Sequence, residues 1–487
     1  MTQQSKTRFY IDGTWVAPLE PRAFTLINPA TEEPAATIEL GGHSDVDRAV
    51  DAAKQAFPNW SESPKQVRIN LFERILGKLE EHATLFAEAV TRDIGAPISL
   101  ARKAHAPLAR AHFKETLRVL KDFSFESAID GKPIGFEAAG VCALITPWNW
   151  PYNQIASKVA SALAAGCTVI LKPSEFAPTC AHVFAEILHQ AGVPQGVFNL
   201  VHGDGPIVGE RLCTHPDVDL ISFTGSTRAG IEITRAGAGT MKRLSMELGG
   251  KSPNIILDDA NFEKAVRSGT LALMNNSGQS CNAPSRMLVP SDMQDEAVRI
   301  AVETLSNINV GDPLVETTTM GPLANKGQFE KTQNMIEVGI SEGANLAAGG
   351  LGRPTGLDRG FYARPTIFKD VDNAMTIAQE EIFGPVLCII PFGSDEEAIN
   401  IANDTPYGLS AYIQSSTPSR ARELGAKIRA GAIHINNVRG DISMPFGGYK
   451  QSGFGREWGV YGLHEFLEVK AYIAGAGSIT GKPQHLS

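Results

Sequence analysis

The fold class of this chain follows from residues 141–175, which read VCALITPWNWPYNQIASKVASALAAGCTVILKPSE. The apolar runs at 141–145 and 168–171 have the length of buried strands, and residues 155–165 are expected to form a helix that ends at Gly166. A strand, a helix and a second strand in this order predict two parallel strands joined by a right-handed crossover.

The same alternation continues toward the C terminus. Strands are predicted at 197–201 and 220–223, and helices at 181–190 and from about 227, so we expect a doubly wound, Rossmann-type α/β domain that binds a nucleotide. A second alternating set predicts another α/β domain beyond a boundary near Gly249 and Gly250. Its expected strands are 254–257, 286–289, 386–391 and 433–436, and its expected helices are 262–275 and one from 395.

The region before residue 124 has helical patterns without obvious chemistry. Asp12-Gly13 predicts a hairpin, and Ser44 is expected to cap a helix over 45–57. Apolar residues at helical spacing continue to about residue 123, so we interpret this region as scaffold.

Composition and charge exclude several classes of protein. The chain has 487 residues, and its 43% hydrophobic fraction is too high for a disordered protein. It has no run of about 18 apolar residues, so no membrane span is expected. The net charge of −9 argues against nucleic acid or anionic lipid as a partner.

The cysteines and histidines show no metal-binding pattern. The six cysteines are widely spaced without a CxxC pair, and the eleven histidines include no HExxH motif. A metal site and a disulfide scaffold are therefore not expected, and the reducing cytoplasm is the expected location.

One cysteine differs from the other five, which we interpret as small buried apolar residues. Cys281 stands among small and polar residues in the segment Gly278-Gln279-Ser280-Cys281-Asn282. A loop entering a helix would offer backbone N–H groups to a thiolate, so Cys281 is a candidate nucleophile. The alternative is a structural cysteine.

Glu247 and Asn149 are two further candidates for chemistry. Glu247 ends an apolar strand, where desolvation would raise its pKa toward that of a general base; the alternative is an ion pair with Lys251. Asn149 lies between two tryptophans that are bracketed by prolines. This rigid setting suits an oxyanion-hole donor, although asparagine is also common in turns.

Two segments that follow predicted strands suggest nucleotide contacts. Gly225 and Ser226 stand between a strand and a helix start, which is an anion-binding arrangement. Ile231 and Glu232 occupy the places where a P-loop needs Lys and Ser/Thr, so NTP hydrolysis is not expected. Lys172 and Glu175 are placed to bind a ribose, the alternative being surface charges.

Together these segments resemble the aldehyde dehydrogenase superfamily in content, order and spacing. The resemblance covers nearly the whole chain. It includes EEIFGP at 380–385, PFGGYKQSG at 445–453, and Gly455-Arg456-Glu457 after them.

The resemblance implies a role for each candidate in aldehyde oxidation. Cys281 would be the nucleophile that forms a thiohemiacetal and then a thioester, and Asn149 with the Cys281 N–H would form the oxyanion hole. Glu247 would activate the hydrolytic water, and Glu457 would be a second carboxylate that relays protons. The implied function is NAD(P)-dependent oxidation of a small-molecule aldehyde to a carboxylic acid.

The resemblance also implies a set of cofactor-binding residues: Trp148, Lys172, Ser174, Glu175, Gly225, Ser226, Glu381 and Phe383. Lys172 and Glu175 would hold the adenosine ribose, and Glu381 the nicotinamide ribose. NAD is expected over NADP because Glu175 would repel a 2′-phosphate, while Lys172 would partly offset that repulsion and leaves NADP use open.

The implied organisation has three parts. Residues 1–123 and 142–248 would form the cofactor domain, and 249–466 the catalytic domain. Residues 124–141 and 467–487 would form a small β extension that assembles homodimers or homotetramers by edge pairing. The chain departs from the family by lacking an Arg-Glu-Pro pattern within 129–139.

The resemblance implies that Trp150, Asn153, Gln154 and Ser157 face the substrate tunnel, with Ser280 and Asn282 beside the nucleophile. Several of these residues are polar. Arg439, in a segment particular to this sequence, could pair with a substrate carboxylate, the alternative being a solvated loop residue. These positions favour a polar aldehyde or semialdehyde over a long alkanal.

Two rivals remain. One is a CoA-acylating relative, and Glu247 argues against it. The other is a non-enzymatic relative that serves as a binding or structural protein, and the intact set of Cys281, Asn149 and Glu247 argues against that.

Overall fold

The computed structural model describes residues 8–436, 438 and 440–473. Arg439, and the part of the expected extension beyond residue 473, lie outside the described residues. In the described part of the chain the strands form four sheets. The strands are β1 (Phe9–Ile11), β2 (Thr14–Val16), β3 (Arg22–Ile27), β4 (Pro34–Leu40), β5 (Glu126–Ile129), β6 (Lys132–Ala138), β7 (Val141–Ile145), β8 (Thr168–Lys172), β9 (Phe198–Leu200), β10 (Leu220–Thr224), β11 (Arg243–Glu247), β12 (Pro253–Ile256), β13 (Arg286–Pro290), β14 (Asn345–Ala348), β15 (Thr366–Lys369), β16 (Val386–Phe392), β17 (Ser410–Gln414), β18 (Ala432–Ile435), β19 (Gly453–Phe454) and β20 (Leu467–Ala471).

Helices cover both faces of the two large sheets. No helix within the described ranges is both long and apolar enough to cross a membrane. The α-helices are α1 (His43–Ser61), α2 (Lys65–Glu81), α3 (Ala83–Ile94), α4 (Ile98–Leu100), α5 (Ala106–Asp122), α6 (Pro151–Ala165), α7 (Pro178–Gln190), α8 (Glu210–Thr214), α9 (Thr227–Gly237), α10 (Phe262–Met274), α11 (Gln294–Leu305), α12 (Lys326–Ser341), α13 (Thr376–Gln379), α14 (Asp395–Asn403), α15 (Pro418–Gly425) and α16 (Gly459–Glu465).

The first sheet has the doubly wound character that the sequence predicts. Its centre is parallel, in the order β11-β10-β7-β8-β9, and the antiparallel strands β19, β1 and β2 lie at its ends. β7, β8 and β10 are buried along their whole length, with an apolar cluster on each face of the sheet. Burial on both faces is typical of parallel strands covered by helices, and the α/β fold class is confirmed.

The register of this sheet brings four strand ends to one edge. Ile145 pairs with Lys172, and these residues end β7 and β8. Thr224 pairs with Glu247, and these end β10 and β11. The loops that follow the four strands therefore meet at the same edge, where ligands of open α/β sheets bind.

The second sheet has the order β14-β15-β16-β13-β12-β17-β18, and only β14 runs antiparallel to its neighbour. Apolar clusters again cover both faces. The connection from β12 to β13 contains α10 and the loop with Cys281. The two small sheets are β20-β6-β5, which is antiparallel, and the hairpin β3-β4.

Three helix starts differ from the sequence prediction. α6 begins at Pro151 rather than at residue 155, and α7 at Pro178 rather than at 181. Proline fits the first helical position because its fixed φ suits the helix. The N–H that proline lacks would have no acceptor within the helix at that position. At α1 the cap is Gly42 rather than Ser44, because the Asp45 carboxylate accepts the Gly42 N–H at 3.0 Å.

Candidate active site

The loop that carries Cys281 lies between α10 and β13. The expectation that this loop enters a helix is wrong, because it leads into β13 at Arg286. Asn276, Ser277 and Gly278 have φ values of 52°, 57° and 74°, and this left-handed run reverses the chain after α10. Non-glycine residues in this region store strain, which is common at functional sites.

Cys281 is partly exposed, whereas the other five cysteines are buried as predicted. Burial, with the charges of Glu381 and Glu247, raises the pKa of the Cys281 thiol. The backbone N–H groups of Cys281 and Asn282 act in the opposite direction. Formation of the thiolate therefore depends on a nearby base or on added positive charge.

A hydrogen-bond network fixes Asn149 beside this loop. Asn149 is 2% exposed, and its Nδ2 donates to the backbone carbonyl of Gln279 at 3.0 Å. The Nδ2 of Asn276 donates to the backbone carbonyl of Asn149 at 2.9 Å. One N–H of the Asn149 amide is thereby occupied, and the other is available to an oxyanion near Cys281.

Glu247 is a buried carboxylate without a hydrogen-bond partner among the described residues. It is 2% exposed, and a methyl group on Gly447 would lie 2.8 Å from its Oε1 atom. Burial and then the charge of Glu457 raise its pKa well above the usual value. Within the described part of the chain Glu247 forms no ion pair with Lys251, whose Nζ has no hydrogen-bond partner there either; burial lowers the pKa of Lys251 to about 8.

Glu457 is held by two side chains of α6. Lys158 Nζ forms an ion pair with Glu457 Oε1 and donates to Ser222 Oγ at 3.1 Å. Ser157 Oγ donates to Glu457 Oε2 at 3.2 Å. The Lys158 side chain is 0% exposed and that of Glu457 7%, so the pair lies in the protein interior near Glu247.

The loops after β8 and β10 carry the expected adenosine-side residues. Ser226 is exposed and caps α9 by accepting the Ala229 N–H at 3.3 Å, and the free N–H groups of this first turn favour an anion. Lys172 is buried, and its Nζ donates to the carbonyl of Gly203 at 2.6 Å. Glu175 is partly exposed at the same edge.

Ser174 and Gly225 complete this group. Ser174 is buried, and its Oγ accepts the Phe176 N–H at 3.2 Å. A methyl group on Gly225 would lie 2.3 Å from the Phe223 ring, so the turn after β10 requires glycine.

The expected nicotinamide-side residues lie on loops of both large sheets. Trp148 follows β7, and Glu381 and Phe383 precede β16. Glu381 accepts the Gly250 N–H at 3.0 Å with Oε1, and its Oε2 has no hydrogen bond within the described residues. A methyl group on Gly249 would lie 2.6 Å from that Oε2. The rings of Phe383 and Trp148 meet edge-on with centroids 5.6 Å apart. These residues therefore offer a carboxylate oxygen, Glu381 Oε2, and an edge-to-face aromatic pair, Phe383 and Trp148.

The expected tunnel residues are placed as follows. Trp150 Nε1 donates to Ser280 Oγ at 2.7 Å, and the Asn282 carbonyl accepts the Tyr412 hydroxyl at 3.0 Å. Gln154 and Ser157 are buried, whereas Asn153 is partly exposed.

Comparison with known proteins identifies the family. A sequence model of the aldehyde dehydrogenase family matches residues 15–472. The chain belongs to the aldehyde dehydrogenase family. A 3-succinoylsemialdehyde-pyridine dehydrogenase from a Pseudomonas species is 54% identical over 96% of this chain and 99% of that protein.

Solved structures of aldehyde dehydrogenases have the same fold. Aldehyde dehydrogenase C from Pseudomonas syringae, crystallised as a mutant with NAD+ and octanal, matches with a TM-score of 0.96, 49% identity and coverage of 98% of this chain and 100% of that one. An aldehyde dehydrogenase from Bacillus cereus in complex with NAD+ matches with a TM-score of 0.93 and 37% identity, over 96% of each chain.

Two side chains near the candidate site of this aldehyde dehydrogenase were not predicted from the sequence. Lys158 could have been noticed as a charged residue among apolar ones in the helix that ends at Gly166. Asn276, which contacts Asn149, gave no comparable signal, because its role depends on a left-handed turn that the sequence does not reveal.

Proposed function

We propose that this aldehyde dehydrogenase oxidises a semialdehyde to its carboxylic acid with NAD, and that Cys281 is the nucleophile. One observation supports the proposal most strongly. The single cysteine that is not buried lies in the loop that also binds Asn149, and Glu247 acts on its pKa. The semialdehyde follows the name of the 54% identical relative, and NAD follows the complexes of the solved relatives.

The residues of the chain suit the first half of the reaction. The Cys281 thiolate adds to the aldehyde carbon and forms a thiohemiacetal. The free N–H of the Asn149 amide and the Cys281 backbone N–H hold the oxygen that becomes negative, a contribution of about 3 kcal/mol for each such donor. Glu247, whose charge acts on the pKa of Cys281, is the candidate acceptor of the thiol proton, because its own raised pKa makes its ionised carboxylate a stronger base.

The cofactor residues fit NAD. Gly225 and Ser226 would hold the pyrophosphate at the start of α9, and Lys172, Ser174 and Glu175 would surround the adenosine ribose. Glu381 would bind the nicotinamide ribose with its free Oε2, and Phe383 with Trp148 would border the ring. These residues would hold NAD so that it could supply a hydride acceptor, and loss of a hydride from the thiohemiacetal carbon would leave Cys281 bound as a thioester.

The second half of the reaction is hydrolysis. Glu247 would accept a proton from water, whose oxygen attacks the thioester carbon while the Cys281 sulfur leaves and is protonated. Glu457, paired with Lys158 and near Glu247, would pass the proton onward.

The three-part domain division and a homo-oligomeric assembly belong to the same proposal. β20 pairs with β6 on one side, and its other edge has no strand partner in the described residues. Val469 of β20 is 65% exposed. An open, partly apolar edge of this kind supports assembly by strand pairing, which light scattering of the purified protein tests. The free cysteines are consistent with the expected cytoplasmic location.

The decisive test is NADH formation from a panel of aldehydes, with and without CoA. We expect oxidation of semialdehydes without CoA and no acyl-CoA product. Absence of NADH with every aldehyde would contradict the proposal, and strict dependence on CoA would replace hydrolysis by acyl transfer. Cys281→Ala is the control for non-enzymatic reduction, because no covalent intermediate can form in it.

A further inference from the structure

The candidate nucleophile lies inside a tight turn. The Ala283 N–H donates to the Ser280 carbonyl at 3.0 Å, which closes a four-residue turn with Cys281 and Asn282 at its centre. The backbone N–H groups of Cys281 and Asn282 act on the sulfur and favour its thiolate. The orientation of the peptide groups in this turn therefore affects how readily the thiolate forms.

The first large sheet supports the part of the turn that precedes the cysteine. Asn149 and Trp150 lie on the loop after β7. The Nδ2 of Asn149 donates to the Gln279 carbonyl at 3.0 Å, and the Nε1 of Trp150 donates to Ser280 Oγ at 2.7 Å. Neither contact involves a residue after Cys281, so that side of the turn needs another support.

The second large sheet supplies that support. Tyr412, on β17, donates its hydroxyl hydrogen to the Asn282 carbonyl at 3.0 Å. This carbonyl belongs to the same peptide group as the Ala283 N–H, so both polar atoms of the peptide group are bound. Because a peptide group is planar, holding both atoms fixes its orientation. Tyr412 therefore fixes the backbone directly after Cys281.

The Tyr412 ring is itself held in place. Tyr412 and His434 are paired residues of β17 and β18, and their rings stack with centroids 4.6 Å apart and 14° between the planes. Such cross-strand neighbours stabilise one another on one face of a sheet. His434 Nδ1 lies 3.2 Å from the Val438 carbonyl, and because a carbonyl only accepts, the histidine donates. Burial lowers the pKa of His434, so the stacked ring is neutral at neutral pH.

The Tyr412 hydroxyl stays protonated beside the cysteine. Burial, and then the charge of a Cys281 thiolate, raises the pKa of Tyr412 above its usual value, so the hydroxyl remains a donor. The charged groups that act on Cys281 are Glu381 and Glu247, and both disfavour its thiolate. Because the hydroxyl carries no charge, its removal leaves the effect of both carboxylates in place.

The geometry points to Tyr412 as a positioning residue for Cys281, whose hydroxyl holds the Asn282 peptide group so that the N–H groups of the turn stay directed at the sulfur. This inference rests on the proposed function, in which Cys281 is the nucleophile. It adds a support from the second large sheet to the one that Asn149 and Trp150 give from the first.

The test removes one oxygen atom. Tyr412→Phe lacks the hydroxyl and keeps the ring that stacks on His434. The matched control is Tyr10→Phe, which removes a hydroxyl 3.0 Å from His189 Nδ1 in the first large sheet. The rate at which iodoacetamide alkylates Cys281 is measured from about pH 6 to 10 by mass spectrometry of the peptide that contains it. The NADH burst and the KM for a semialdehyde are measured on the same proteins.

We expect Cys281 of Tyr412→Phe to be alkylated roughly 3- to 10-fold more slowly at neutral pH, the worth of one hydrogen bond, with a profile moved to higher pH. The NADH burst should slow by a similar factor at unchanged KM, and Tyr10→Phe should match the wild type. The inference is overturned if Tyr412→Phe keeps the wild-type alkylation profile, or if its burst slows without a change in that profile.

The two readouts separate this inference from the proposed function. Absence of NADH with every aldehyde in the wild type would overturn the proposed function. Alkylation needs no aldehyde, so its pH profile would still decide whether the Tyr412 hydroxyl acts on the Cys281 thiol.

Discussion

The Nδ2 atom of Asn149 lies 3.0 Å from the carbonyl oxygen of Gln279, two residues before the cysteine that the amide is proposed to assist. This contact ties the loop after β7 to the loop before β13, and hence the first large sheet to the second. It also fixes which atom of the amide faces the loop, because only Nδ2 can donate to a carbonyl.

Asn149→Ala should slow both half-reactions, because addition of the thiolate and hydrolysis of the thioester both pass through an oxyanion. The expected loss in kcat is about 10²–10³-fold for one donor. Rapid-mixing absorbance of NADH measures the first half, and steady-state turnover measures both. Asn70→Ala on the surface of α2 is the control. Unchanged rates in Asn149→Ala would exclude Asn149 from the oxyanion hole.

Glu247→Gln should separate the two half-reactions. If Glu247 serves mainly hydrolysis, the variant releases about one equivalent of NADH per active site in a burst and then turns over about 10²–10⁴-fold more slowly. A slower burst of full amplitude would show that Glu247 also helps to deprotonate Cys281. Normal turnover would remove Glu247 from the mechanism, and Cys281→Ala should abolish both phases.

The pH dependence of hydrolysis should follow the pKa of Glu247. Burial and the charge of Glu457 raise that pKa, so the carboxyl is protonated to higher pH than usual and the rate rises as increasing pH ionises it. Glu457→Gln removes the negative charge that raises the pKa of Glu247. The Lys158 cation, which lowers that pKa, remains, so the pKa of Glu247 should fall. The rising limb of the pH–rate profile for thioester hydrolysis should therefore move to lower pH. A limb that stays in place would contradict this coupling, and Glu263→Gln, on the exposed face of α10, controls for a general charge effect.

Cofactor preference should depend on Glu175. A carboxylate at this edge can accept hydrogen bonds from ribose hydroxyls but repels a 2′-phosphate, so NAD is expected to be preferred. Glu175→Gln should raise kcat/KM for NADP by roughly 10-fold or more, because it removes a like-charge contact. Glu210→Gln on α8 is the control for surface charge. A wild type that uses NADP as well as or better than NAD would refute the preference.

The sequence predicted the parts of the fold that depend on local patterns. The strands from β7 to β10 were found because five or fewer consecutive apolar residues between turns fit a buried strand. The start of α6 was placed too late, because the polar and aromatic residues after Pro151 hid the helical pattern. Residues with chemical character, such as Cys281 and Glu247, could be singled out by the contrast with their neighbours.

The remaining features depend on contacts between distant segments. The left-handed run at Asn276 that turns the chain into β13 has no glycine until its third residue, so local chemistry did not indicate it. The hydrogen bond between Asn153 and His112 joins α6 to α5, and the apolar periodicity of the two helices does not predict such a contact. Strain at Trp458 is likewise imposed by the stacking with Phe446 and by the backbone pairing of Glu457.

The ion pair of Lys158 and Glu457 gives a prediction about stability. Because both groups lie in the interior, loss of one partner leaves an uncompensated buried charge, and Lys158→Met should lower the free energy of unfolding by about 3–5 kcal/mol. The double variant Lys158→Met/Glu457→Gln removes both charges and should recover most of that loss. Urea unfolding of the two variants, with Lys326→Met at an exposed pair as the control, measures the difference. Equal destabilisation in the single and double variants would show that Lys158 contributes through packing of its side chain rather than through its charge.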